Sequence, residues 1–418
     1  MLKKINLKLL LQIFICFALL SRLFFVNFPS FGTDMGDYMA WTGRLVSLTP
    51  WNFYSANYFS DYFPGYLYIL WLVGGYFSLL APNLSFSGHQ FEIYLKLVNS
   101  LFDFGTAYLI YKIVKLYKPN WSSFAALLYL VNPVVIFNST VWGQSDGVYT
   151  FFLVLATYFL IELKKSLNWS FWMAVSILVK PQSIAVIPLA VIYQLKLPNH
   201  HKKLFQALVL LPILLIVLAL PFTHKDPFWG LYHLGQTSTQ LYPFTSEFAY
   251  NLWGLFGWWK SDATKIFITY QIWGILLFGL SILTIIIPIF LKKTLPPKQI
   301  IYLGMALSLM AFFLFVTRVH ERYLFPFFAF MLIAAATSSS KRLVFYYIVL
   351  SLIHFFNIWY VYYYYNFVYS HPAWATLFPY SILNQPLVYT SLIITSLVLF
   401  ALLLYEYYHR LLRSKLNV

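Results

Sequence analysis

Residues 304–336 read "GMALSLMAFFLFVTRVHERYLFPFFAFMLIAAA". Two apolar runs enclose Thr317–Tyr323, where Arg318, His320, Glu321, Arg322 and Tyr323 can all carry charge or titrate. Apolar runs of this kind recur along the whole chain, and many approach the ~20 residues that a helix needs to cross a hydrocarbon core. The chain is 61% hydrophobic and 10% charged, whereas about a quarter of a soluble domain is charged. The runs lack the period-2 alternation of a membrane barrel, and lipid does not tolerate open sheets. An all-α polytopic membrane protein follows.

The net charge of +16 does not point to nucleic acid, because the lysines and arginines cluster in short loops, where they set topology. The single cysteine, Cys16, lies in the first apolar run and excludes a disulfide framework or a cysteine-based metal site. That run follows "MLKKINLK" and has no small-residue cleavage site after it, so it reads as a retained helix. No internal repeat or soluble domain is visible.

Lys3, Lys4 and Lys8 place the N-terminus in the cytoplasm, and "KIVKLYKPN", "ELKK", "HHKK", "LKKTLPPK", "SSSKR" and the tail "HRLLRSK" should share that side. This decides "PGYLYILWLVGGYFSLLA" (64–81). If it crossed alone, the later basic loops would fall outside. Residues 28–92 therefore read as one long outer loop with a polar helix near 36–48 and a membrane-hugging helix at 64–81. Spans follow near 93–116, 121–138 and 147–163. Residues 168–195 have basic segments at both ends and "LVKPQS" in the middle. Each half gives roughly 18 Å of helix, short for a core of about 30 Å. Pro181 breaks the helix at an apex carrying Lys180 and Gln182. A span near 204–221 leads to a second outer loop, 222–262, with His224, His233 and Glu247. Spans near 264–291, 299–317, 323–337, 342–362 and 384–408 complete about 11–13 transmembrane helices, with the C-terminus inside. The organisation is one integrated membrane domain: a module over 1–262 with the outer loops 28–92 and 222–262, and helices over 263–418 that complete its site.

Under this topology the unusual polar residues meet on the outer side. "GTDMGDY" brings Asp34 and Asp37, "SDYFPGY" brings Asp61, and "NPVVIFNSTVWGQSDG" brings Trp142, Gln144 and Asp146. "VKPQ" adds Lys180 and Gln182, and the turn at 317–323 adds Arg318, His320 and Arg322. Ionisable residues at a membrane are costly and usually functional. Cations suit a leaving phosphate, a carboxylate suits proton removal from an acceptor, and Trp142 or Tyr62 suits a sugar face. The same residues have structural uses. Asp34, Asp37 or Asp146 can cap a helix, Asp61 can form a turn before Pro64, and Lys180 can snorkel. Asp103 suits an ion pair with Lys96 or Arg22. Arg318 and Arg322 would share a face if helical, with Glu321 neutralising one of them. "YVYYYY" (360–365) suits an interfacial belt, and His224 and His233 suit a solvated loop.

The four blocks "TDMGDYMAW…SDYFPGYLYILWL", "NPVVIFNSTVWGQSDG", "LVKPQSIAVIPL" and "TRVHERYLFPFF" resemble the GT-C superfamily of polyprenyl-phosphate-sugar-dependent glycosyltransferases, and within it bacterial relatives of the second mannosyltransferase of GPI-anchor synthesis. Phe63 stands where that family more often has proline. The resemblance implies a GT-C-like bundle in a bacterial plasma membrane and an extracytoplasmic site. It implies inverting transfer of a hexose, mannose by likeness, from a polyprenyl-phosphate carrier to a glycolipid, glycan or protein acceptor. Carried over residue by residue, Asp34 is the base, with Asp37 and Asp61 as alternates or partners. Arg318, His320, Arg322, Lys180 and Gln182 bind the donor phosphate. Trp142, Gln144 and Asp146 contact sugar or brace the site. Scattered carboxylates and the lack of a Cys/His pattern imply no metal and no cofactor beyond the donor. The other classes open to this sequence are a lipid or sugar transporter or flippase, favoured by the break at Pro181 but lacking a paired discontinuity, and an O-antigen polymerase-like enzyme.

Overall fold

The computed structural model describes residues 7–55, 57–224 and 226–413, with side chains from Gln12 onward. Lys3, Lys4, the Lys8 side chain and residues 414–418, on which the placement of the two termini rests, lie outside the described residues.

The chain is helical almost throughout. It opens with α1 (Leu7–Phe25), α2 (Gly32–Leu48), α3 (Pro64–Leu80), α4 (His89–Tyr117) and α5 (Pro119–Leu130). The short α6 (Pro133–Ile136) runs into a π-helical turn, Phe137–Trp142, before α7 (Asp146–Ile161). α8 (Ser166–Val179) ends at Lys180, and a 3₁₀ turn, Pro181–Val186, leads into α9 (Ile187–Leu195). Next come α10 (His201–Thr223) and α11 (Pro227–Gln240), and a minimal hairpin pairs β1 (Lys265–Ile266) with β2 (Ile268–Thr269). The C-terminal part is α12 (Tyr270–Leu291), α13 (Lys298–Phe315), α14 (Phe327–Thr337), α15 (Lys341–Tyr363), α16 (Tyr380–Leu383) and α17 (Pro386–Arg413). Proline punctuates the starts of α3, α5, α6 and α11 and of the turn at Pro181. At a first helical position its missing N–H costs nothing.

α10, α12, α13, α15 and α17 are long and apolar enough to cross a membrane. α5 with the segment Pro133–Trp142 makes a sixth candidate, bent by 48°. These are the candidates by length and composition among the described residues; the other apolar helices, such as α7, α8 and α14, are shorter. The bend is also a second discontinuity beside the one at Pro181, where the sequence suggested only one.

The runs flanking 317–323 are not lipid-facing. Every residue of α14 and all but four residues of α13 are buried in protein, so these helices form the centre of the bundle. The lipid-grade surface lies on α10, α12 and α17, which expose Phe205, Ile275, Leu280, Ile394 and Val398. The tyrosines of 360–365 are likewise not a simple belt. Tyr360 and Tyr362 are buried, and Tyr362 donates to the Pro29 carbonyl. Basic loops gather at one end of the bundle. Lys298 pairs with Glu162 at 2.8 Å, Tyr117 donates to the same carboxylate, and Lys196 donates to the Lys292 carbonyl at 2.9 Å.

α3 packs on α8 through Gly65, where an added Cβ would overlap the backbone of Leu178 and Val179 just before the break at Lys180. Backbone cannot yield as a side-chain tip can. Gly65→Ala should therefore cost about 1–3 kcal/mol as overpacking, read as a lowered thermal midpoint in detergent, whereas Gly75→Ala, with open space around it, should leave the midpoint unchanged.

Candidate active site

Asp34 sits in the first turn of α2, where the helix dipole favours an anion. Its Oδ2 accepts two hydrogen bonds of 2.7 Å, from Trp142 Nε1 and from Gln144 Nε2. The donors stand either side of Gly143, whose φ of +83° closes the π-helical turn in a left-handed conformation that glycine adopts without penalty. The stacked rings of Phe31 and Trp142, 4.5 Å apart, and the Phe31 N–H to the Trp142 carbonyl fix the start of α2 against this turn.

The orientation of the Gln144 amide is set from behind. Its Oε1 accepts from Tyr38 Oη (2.7 Å), Lys180 Nζ (3.2 Å) and the Ser145 N–H (2.8 Å). The Tyr62 and Ser145 hydroxyls also point at it, at 3.2 and 3.1 Å, and a carbonyl oxygen surrounded by donors leaves only the NH₂ for Asp34. Lys180 is anchored by Asp146 at 2.6 Å, and Asn138 donates to the other Asp146 oxygen at 3.0 Å. The two discontinuities thus meet: the bend of 133–142 supplies the donors to Asp34, and the break at Pro181 supplies the lysine that orients one of them. This is positioning of one carboxylate, and it gives the transporter reading no support.

In front of Asp34 lies a cavity of about 190 Å³. Asp34, Asp37, Asp61, Glu247 and Glu321 line it, with His320, Arg322 and the rings of Tyr38, Trp41, Phe59, Tyr62, Tyr242, Trp259 and Tyr365. Arg322 Nη2 lies 4.0 Å from Asp34 Oδ2, its Nη1 lies 2.9 Å from Glu321, and its guanidinium stands 5.7 Å from the centre of the Trp142 ring. The 317–323 turn is held by the segment after α11 through backbone bonds from Arg318 N–H to the Phe244 carbonyl and from Glu247 N–H to the Val319 carbonyl.

The sequence-derived candidates divide into three groups. Asp34, Asp37, Asp61, His320 and Arg322 line the cavity. Trp142, Gln144, Asp146 and Lys180 stand behind it and hold Asp34, as described. Arg318 and Gln182 do neither. The turn is not helical, Arg318 has a φ of +61°, and the two arginines do not share a face. Arg318 Nε pairs with Asp262 at 2.7 Å and its Nη1 donates to the Thr239 carbonyl. Gln182 Oε1 is buried without a hydrogen-bond partner among the described residues and is not part of the cavity lining. Asp103 makes no ion-pair contact among the described residues: Lys96 is taken by Glu92 at 2.9 Å, and Arg22, whose Nη1 donates to the Leu130 carbonyl at 2.6 Å, acts on Asp103 through its charge without touching it. His233 is exposed on α11, and His224 packs edge-on against Trp51. Tyr38 and Glu321, which lie inside the quoted motif blocks but have no role in the chemistry read from them, and Glu247, which lies in no motif, join the site. For Glu247 the only signal was an acid in the long, aromatic-rich segment 222–262.

Burial, with the Asp61 and Asp34 carboxylates nearby, pushes Asp37 up to about 6, and burial raises Asp61 as well. Burial pushes Glu247 up to about 9, with Glu321 adding to it. Burial, then Arg322 and Lys180, holds His320 well below the ordinary histidine range.

Because Asp37 is raised in the folded protein, its contribution is most favourable below the ordinary carboxylate range and is lost as pH rises through about 6. Asp37→Asn should raise the thermal midpoint at pH 7.5 and flatten its fall between pH 4 and 7, measured by scanning fluorimetry. Lys180→Met leaves Asp146, fully buried, without its cation. A loss of about 3–5 kcal/mol is expected, and the double variant Lys180→Met/Asp146→Asn should recover part of it in the same assay.

No curated protein matches the chain. Residues 68–224 match the family model described as dolichyl-phosphate-mannose-protein mannosyltransferase. The matched part carries Trp142, Gln144, Asp146 and Lys180 and leaves out Asp34 and the 317–323 turn. It does not single out relatives of the second GPI-anchor mannosyltransferase. Over residues 68–224 the chain is therefore similar to the dolichyl-phosphate-mannose-protein mannosyltransferases, in agreement with a GT-C glycosyltransferase.

Proposed function

We propose that this protein moves a hexose, mannose by family likeness, from a polyprenyl-phosphate carrier to a hydroxyl acceptor on the extracytoplasmic side of a bacterial plasma membrane. The family match supports the coarser part of this reading, a glycosyltransferase that draws on a lipid-linked sugar. The observation that supports the transfer step is the facing of Asp34 and Arg322, a held carboxylate and a buried guanidinium 4.0 Å apart at one cavity.

The step is a single displacement. Asp34 Oδ2 is occupied by Trp142 and Gln144, and Oδ1, which has no hydrogen-bond partner among the described residues, takes the proton of the acceptor hydroxyl. The acceptor oxygen bonds to the anomeric carbon as the bond from that carbon to the phosphate oxygen breaks, and its electron pair leaves with the phosphate. Attack from the face opposite the phosphate inverts the anomeric centre. Arg322 supplies positive charge where negative charge develops, and in a dry cavity such a contact is worth more than in water. Aromatic walls at Trp41, Phe59, Tyr62 and Tyr242 suit sugar rings. The reading uses no metal and no further cofactor.

Asp34→Asn keeps an oxygen for Trp142 and Gln144 but cannot take a proton. Turnover of a labelled polyprenyl-phosphate hexose should fall at least about 10²-fold, with the thermal midpoint and donor affinity close to wild type. Wild-type turnover in this variant would remove Asp34 from the role of base.

A further inference from the structure

The reaction as described leaves one feature of the cavity unused. Glu247 is 1% exposed, lines the cavity, and has no hydrogen bond to either carboxyl oxygen among the described residues. Its Oε2 lies 3.0 Å from His320 Nδ1 without hydrogen-bond alignment. A buried carboxyl group whose Oε1 has no partner among the described residues, and whose Oε2 has only the His320 ring nitrogen beside it, costs free energy unless something completes it. Its position is fixed, because the Glu247 N–H is tied to the Val319 carbonyl and Glu247 bridges to His320. It belongs to the same wall as Arg322.

We propose that Glu247 is a hydrogen-bond donor to the phosphate of the lipid-linked substrate and of the polyprenyl phosphate released from it. This rests on the reading of the cavity as a phosphate-sugar site. The charged and titratable groups around that cavity are His320, Glu321 and Arg322 from the turn, Asp34, Asp37 and Tyr38 from α2, Asp61 and Tyr62, Tyr242, and Tyr365 after α15. Lys180 lies close enough to bear on His320. Among them Arg322 is the lining cation, and it is already shared by Asp34 and Glu321. A phosphate beside Arg322 adds negative charge to a wall rich in carboxyls. An ionised Glu247 would repel it at short range in a weakly screened site. A protonated Glu247 removes that repulsion and offers an O–H in its place. The phosphate reinforces this state, since a nearby anion disfavours ionisation of a buried acid that burial has already pushed up to about 9. No proton needs to be transferred in the step. The C–O bond breaks as before, and the Glu247 O–H remains bonded to its own carboxyl while it solvates the departing phosphate oxygens.

The test avoids the unidentified acceptor. Full-length wild type, Glu247→Gln and Glu247→Ala in lipid nanodiscs are titrated with a short-chain polyprenyl phosphate and with the matching polyprenol. The glutamine variant keeps a donor of similar shape. It should bind polyprenyl phosphate within about threefold of wild type at pH 7.5, and the alanine variant should lose about 10- to 100-fold, the loss of one hydrogen bond to a charged group. Polyprenol binding should not change in either. Wild-type affinity for the phosphate should fall as pH rises through about 9, and that fall should be absent in Glu247→Gln. Equal phosphate binding by wild type and Glu247→Ala, or a Glu247→Gln variant as weak as Glu247→Ala, overturns the assignment of Glu247. A wild type that binds polyprenyl phosphate no better than polyprenol overturns the phosphate-sugar reading itself.

Discussion

Two hydrogen bonds converge on one oxygen of Asp34, from an indole and from an amide, and much of the molecule serves to keep both donors aimed there. The indole is fixed by the π-helical turn, by the glycine that ends it, and by stacking on Phe31. The amide is fixed because its oxygen is occupied. If Gln144 flipped, the Lys180 ammonium and the Ser145 N–H would face an NH₂ group, donor against donor, and Asp34 would face a carbonyl oxygen. Lys180 is buried and tolerable there only beside Asp146. The position of one carboxylate is thus set by a relay of buried partners from three separated stretches of chain, at 138–146, at 180 and at 34–38.

The electrostatic balance on the cavity side is uneven. Five carboxyl groups and one guanidinium line it, and five negative charges around one positive charge in so small a volume would repel one another strongly. Burial resolves this by shifting ionisation, not by adding cations. Glu247 and Asp37 are the groups most clearly displaced toward their neutral forms. Arg322 stays between Asp34 and Glu321, so the free cavity presents a guanidinium that is already partly satisfied. An anionic ligand would have to draw it away from Asp34, and doing so would release that carboxylate for proton abstraction. Under the proposed transfer, binding of the leaving group and activation of the base would be coupled through the same guanidinium.

The fold class was readable because lipid leaves few options. Long apolar runs with charges confined to loops can only be helices, and proline at 181 marked a break that the structure contains. The helices near 64–81 and 147–163 were legible to within about two residues, since apolar length and flanking turn residues define them. Periodicity could not tell helices buried in protein from helices facing lipid, because both are apolar on every side. For that reason α13 and α14 looked like lipid-grade runs and prove to be the core. In the site, Asp34, Trp142, Gln144, Asp146 and Lys180 were visible as polar residues out of place. Who pairs with whom was not. The partner of Arg318 is Asp262, 56 residues away, and the neighbour of His320 is Glu247, 73 residues away. Such pairings depend on how the segment between α11 and α12 folds back, which no local pattern encodes.

The site is assembled where helices stop being regular. The π-helical turn at 137–142, the break at Lys180–Pro181 and the turn at 317–323 are each flanked by apolar helix, and each places polar side chains beside the next. In a regular helix, successive side chains fan out by about 100°, so Trp142 and Gln144 could not both reach one oxygen. A left-handed residue between them turns the chain back and lets them converge. Irregular backbone inside an apolar bundle is tolerated only where its free groups find protein or water. Here the Gly143 carbonyl accepts from Asn99 and the Trp142 carbonyl accepts from Phe31. The local cost of breaking the helix is offset by bonds from α4 and from the start of α2. Those bonds bring the acid-bearing first loop against the turn, so the interruption that creates the donors also recruits the carboxylate they hold.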